Sequence, residues 1–137
     1  MEVIFSIRSR KIPGMIKLKK EISIKQGNAL NRDIKEYIQR RPKVMCNGLN
    51  GRPVFLTKYL EATHRRMDRT RRRQRFFVGL DLLRKVKTDD ITDKIKEPTG
   101  EPSFEFKGIT PSGEIVGVHV REEIEGKNRK LYLISTF

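Results

Sequence analysis

From Glu101 to Phe137 apolar and polar residues alternate with a period of two, and turn-forming residues interrupt the alternation twice, at Thr110-Pro111-Ser112-Gly113 and at Glu125-Gly126-Lys127-Asn128. That period belongs to strands with one buried face. The stretch therefore predicts a three-stranded antiparallel meander. Sorting by parity puts Val116, Val118 and Val120 on the core side, facing Phe104, Phe106 and the set Leu131, Leu133, Ser135 and Phe137. The opposite face then collects Glu105, Lys107, His119, Arg121, Tyr132 and Thr136.

Upstream of the meander the pattern is mostly helical. Asn28 is read as the cap of a helix reaching about Gln39, with Leu30, Ile34, Tyr37 and Ile38 along one side. A second helix is expected from Thr57, a third carries Phe76, Phe77, Leu80, Leu83 and Val86, and a short one runs from Thr88 towards Pro98. Short extended pieces are expected around Val3–Ile7 and in Met15–Leu18 or Glu21–Ile24, with a turn at Pro13-Gly14. Asn47-Gly48 and Asn50-Gly51 predict a loop or small hairpin. The expected class is α+β, with helices packed on one face of an antiparallel sheet. Residues 1–56 form a basic N-terminal subregion and 57–137 the helices and C-terminal sheet, together one compact unit.

Charge narrows the partner. Lys and Arg number 31 against 17 Asp and Glu, a net +14 on 137 residues. Such an excess implies a polyanion, nucleic acid far ahead of lipid; the 2′-hydroxyl chemistry open to the polar sheet face puts RNA ahead of DNA. Seven of the arginines, Arg65, Arg66, Arg69, Arg71, Arg72, Arg73 and Arg75, fall within eleven residues that contain one acid, Asp68. They are the candidate phosphate-binding run, because guanidinium groups pair bidentately with phosphate and release counterions. A solvated basic helix or linker is the bland alternative.

One cysteine, Cys46, excludes an internal disulfide and fits a reducing, cytoplasmic compartment. One cysteine and two histidines offer no zinc-ligand spacing, so neither metal nor cofactor is expected. No apolar run approaches the roughly 20 residues of a membrane helix.

The chemistry open to a basic surface of this kind is cleavage of RNA by general acid/base transfer, in which a ribose 2′-hydroxyl attacks its own phosphate. Histidine as a residue type titrates in the required range, so His119 is the candidate acid or base. Glu105 supplies the other half of the pair, Arg121 and Lys107 hold the phosphate, and Tyr132, Ser135 or Thr136 orient it. Each of these also has an ordinary reading as a cross-strand residue on a solvated sheet face. His64, between Leu60 and Met67, can equally cover the edge of the core.

His64 on a helix with arginines after it, Ile-Lys-Glu-Pro ending at Pro98, then Phe-Glu-Phe, Ile-Val-Gly-Val-His-Val-Arg and a closing Leu-Tyr-Leu-Ile-Ser-Thr-Phe resemble the barnase/EndoU/colicin/RelE-like nuclease superfamily, in its phage and polymorphic-toxin branches. The resemblance spans about residues 57–137. It implies helices against a curved four-stranded antiparallel sheet, metal-independent RNA cleavage, an inhibitory partner protein, and active residues His64, His119, Arg121, Ser135 and Thr136. The alternative is a non-catalytic RNA- or DNA-binding protein that docks through the arginine run, alone or in a viral or ribonucleoprotein assembly.

Overall fold

The computed structural model describes residues 5–6, 10–11, 22–64, 66, 68–86, 95–96, 102–109 and 113–137. The Pro13-Gly14 turn, the stretch Met15–Leu18, Arg65, and the Thr88–Pro98 helix apart from two residues lie outside them.

The first helix, α1 (Ile24–Arg40), begins five residues earlier than Asn28 suggests. Ser23 caps it: its hydroxyl accepts from the Gln26 backbone N–H at 3.1 Å, and the Gln26 side chain accepts from the Ser23 N–H at 2.9 Å. This reciprocal box satisfies two orphan donors of the first turn, so Gly27 and Asn28 are carried inside the helix. Extended structure is therefore excluded at Ile24.

The chain next forms the hairpin of β3 (Lys43–Cys46) and β4 (Arg52–Phe55), joined by a 3-10 turn at Asn47–Leu49. Asn50 and Gly51, at φ of 59° and 71°, close it in the left-handed region that these two residue types tolerate. Three helices follow, α2 (Tyr59–His64), α3 (Arg69–Gln74) and α4 (Phe76–Lys85). The meander is present as β6 (Pro102–Ile109), β7 (Ile115–Glu125) and β8 (Asn128–Thr136). Along the free edge of β6 lie three two-residue pieces, β1 (Phe5–Ser6), β2 (Arg10–Lys11) and β5 (Ile95–Lys96). Ile95 is thus in a strand, not on the helix that its spacing from Ile91 suggests.

The fold is α+β with one correction. The sheet, in the order β1-β6-β7-β8-β4-β3, is mixed: β6, β7 and β8 are antiparallel as expected, but β4 joins β8 in parallel, and β1 and β2 join β6 in parallel. Parallel partners come from distant chain segments, and alternation within one strand carries no mark of them.

α4 packs across β3, β6 and β7. Its Phe76, Leu80 and Leu83 meet Phe106, Val116, Val118, Val120 and Leu133, all at most 1% exposed. Each such side chain contributes about 1.5–3 kcal/mol of burial. Gly79 permits the close approach, because a Cβ there would stand 2.6 Å from Val118 Cγ1 and 2.8 Å from Thr136 Cγ2.

Cys46 also belongs to this core, and burial pushes its thiol up to about 11. Only the thiolate reacts. In folded protein at neutral pH, Cys46 should therefore label slowly with a maleimide and rapidly once urea unfolds the chain, which timed labelling checks.

Candidate functional site

The face of the meander turned away from α4 presents Ser103, Glu105 and Lys107 from β6, and Gly117, His119, Arg121 and Glu123 from β7. Pairing sets Glu105 directly opposite His119. On the other side His119 faces Ser135 of β8. Directly opposed residues have Cβ atoms about 4.5–5.5 Å apart, so the imidazole has a carboxylate on one flank and a hydroxyl on the other. Ser103 Oγ lies 3.1 Å from His119 Nε2.

Ser135 reaches this face because of a bulge. Val120 pairs with Leu133 and His119 with Ser135, so Ile134 is an extra residue in β8 and the alternation inverts past it. Simple parity assigns Ser135 and Phe137 to the core side and Thr136 to the polar side, and the inversion corrects all three. Phe137 pairs with Gly117, and a Cβ on Gly117 would meet its ring at 2.5 Å. Glycine leaves the ring room to lie there. Thr136 instead faces α2 and α4, fully buried.

Its hydroxyl has a defined task. Thr136 Oγ1 donates to the Arg72 carbonyl at 2.6 Å, and the Tyr59 hydroxyl stands 2.6 Å from the same Oγ1. Each hydroxyl has one proton, so Tyr59 donates to Thr136 and Thr136 to Arg72. This relay pins the backbone of α3 to the edge of β8. The Arg72 side chain then extends towards the outer face, donating through Nη1 to Ser135 Oγ at 2.6 Å. Its Nε donates to both Asp68 oxygens at 2.9 Å. Burial works to raise the Asp68 carboxyl, but Arg72 outweighs it and holds the group below its ordinary value.

Farther along the strands, Arg121 faces Ser103 on β6 and Tyr132 on β8. Its Nη2 donates to Glu123 Oε2 at 3.2 Å, while its Nε is shielded from solvent and has no hydrogen-bond partner among the described residues. Glu123 also takes Lys58 Nζ at 2.6 Å. Burial would raise Glu123, yet Lys58 and Arg121 keep it depressed. Lys58 lies over the Tyr132 ring, 4.1 Å from its centroid, and the Tyr132 hydroxyl donates to Glu125 at 2.5 Å. That bond, helped by burial, pushes the Tyr132 phenol up to about 12. Lys107 pairs with Glu105 at 3.1 Å.

The face thus brings together His119, Glu105, Lys107, Arg121 and Ser135, but neither Thr136 nor His64. His64 ends α2, exposed, beside a groove of the helical layer that α1 also lines. The arginine run divides. Arg66, Arg69 and Arg71 are exposed, whereas Arg72, Arg73 and Arg75 turn inward because α3 lies between α1, α4 and β8. Ser103 and Lys58 are not singled out from sequence, and Arg72 only as one of the basic run. Ser103 shares the parity of Glu105; Lys58 stands in the turn before α2 and the Arg72 fork on α3, where strand periodicity reveals neither.

No protein-family model, curated protein or solved structure matches this chain. Among the described residues no helix is long and apolar enough to cross a membrane.

Proposed function

We propose that this protein binds RNA and cleaves it on the outer face of the meander, with no metal ion in the mechanism. The observation that carries the proposal is His119 set between Glu105 and Ser135, with guanidinium groups arriving from both β7 and α3. Glu105, beside the Lys107 ammonium, is the base that takes the 2′-hydroxyl proton. The 2′-oxygen then forms a bond to phosphorus, and the bond from phosphorus to the 5′-oxygen breaks. His119 in its imidazolium form gives the leaving oxygen its proton. The products are a 2′,3′-cyclic phosphate and a 5′-hydroxyl. Arg121, whose side chain is partly exposed on this face, and Arg72 stabilise the charge that builds on the phosphate, while Ser103 and Ser135 hold the imidazole and the Arg72 fork in place.

A cytoplasmic setting suits the free thiol of Cys46, and an RNA-cleaving activity there calls for an inhibitory partner protein. The test is incubation of purified protein with end-labelled RNA in EDTA. Cyclic phosphate ends support the reading, and intact RNA at enzyme excess refutes it.

A second reading, binding without cleavage, draws on the carboxylates that already pair with Lys58, Lys107 and Arg121. Under it the exposed Arg66, Arg69 and Arg71 are the phosphate contacts. Both readings predict salt-sensitive binding. Three such contacts on single-stranded RNA give a slope of log K against log salt of about −2. Fluorescence anisotropy with oligonucleotides at increasing salt checks this, and a flat response would remove the arginines from the interface.

A further inference from the structure

Arg73 poses a separate problem. Only 6% exposed, it spends Nε on Thr63 Oγ1 at 3.2 Å, Nη1 on Asn31 Oδ1 at 3.1 Å and Nη2 on the Leu60 carbonyl at 3.1 Å. All three acceptors are neutral, and no carboxylate pairs with it among the described residues. A buried cation without a counter-charge is costly, and a neutral side chain of similar length would tie α1 to α2 without that cost. Two of its five N–H donors remain.

The same guanidinium lines a groove of about 910 Å³ between α1 and α2. Arg32, Lys35 and His64 stand around it, all exposed, and among the described residues Glu61 is the single acid that lines it. Cations therefore outnumber acids here even with His64 neutral. The volume lies at the upper end of ordinary small-molecule sites, which run about 300–1,000 Å³, and is far more than one phosphate fills. Leu60 and the imidazole of His64 provide the surface against which a flat heterocycle stacks.

We infer that this groove is a nucleotide site, in which Arg73, Arg32 and Lys35 take a phosphate monoester and Leu60 and His64 take the base. It lies in the helical layer and is independent of any cleavage on the meander. A free nucleotide and the 5′-phosphorylated end of a strand share this chemistry.

Titration calorimetry of the full chain with adenosine 5′-monophosphate, adenosine and inorganic phosphate tests the site. The monophosphate should bind saturably, phosphate more weakly, and adenosine not measurably. The double variant Arg32→Ala/Lys35→Ala alters only exposed side chains, so it should keep its circular dichroism and thermal midpoint while losing about tenfold or more in monophosphate affinity. Equal binding of monophosphate and adenosine, or unchanged affinity in the folded double variant, overturns the inference. Tighter binding of a 5′-phosphorylated trinucleotide than of the monophosphate assigns the groove to strand ends, and the reverse assigns it to free nucleotide.

Discussion

His119→Ala is expected to slow RNA cleavage by about 10²–10⁴-fold, the usual worth of one positioned acid or base. The imidazole is half-buried on the outer face and is absent from the apolar core, so the variant should unfold close to the wild-type denaturant midpoint. Rates of cyclic phosphate formation in EDTA, set beside urea unfolding curves, separate the two effects. Glu105→Gln should lose activity in the same range, because an amide keeps the shape but accepts no proton. Arg72→Lys provides a sharper control. Lysine preserves the charge but cannot fork between Asp68 and Ser135, so a decline despite unchanged charge would show that placement matters. Wild-type rates in both His119→Ala and Glu105→Gln would remove the acid/base pair and leave the binding reading.

The elements behind that prediction were unequally legible in the chain. Alternation identified β6, β7 and β8 and the valine core, because a period of two is a local consequence of burying one strand face. It also placed Glu105 and His119 on one side, since their pairing lies before any irregularity. The extra residue at Ile134 left no mark. Its neighbours Leu133 and Ser135 continue a plausible apolar and polar alternation, so a count from Leu131 passes through the bulge and exchanges Ser135 with Thr136. The cap of α1 was legible as Ser23-Ile24-Lys25-Gln26, yet Gly27-Asn28 is the louder break. The arginine run was visible as charge, but the inward turn of Arg72, Arg73 and Arg75 depends on what surrounds α3. The parallel pairing of β4 with β8 joins Val54 to Leu131, and no local pattern encodes a contact at that separation.

The relay beneath the site yields the largest stability effect. Tyr59→Ala should cost about 3–5 kcal/mol, measured by urea unfolding. The ring is fully buried, with its centroid 4.9 Å from that of Phe76, so its removal leaves a cavity in the core. Two smaller changes divide this loss. Tyr59→Phe removes a donor but leaves Thr136 bonded to the Arg72 carbonyl, so about 0.5–1.5 kcal/mol is expected. Thr136→Val is worse, at about 1–3 kcal/mol, because the Tyr59 hydroxyl then keeps only the Arg72 carbonyl at 3.3 Å. The same variant decides which task belongs to Thr136. With its hydroxyl turned into the core, folded Thr136→Val should cleave at near the wild-type rate, whereas folded Ser135→Ala should lower the rate, because Arg72 Nη1 loses the hydroxyl that places it. If Thr136→Val abolished cleavage at an unchanged urea midpoint, its hydroxyl would be acting on substrate, and the buried relay would not be its purpose.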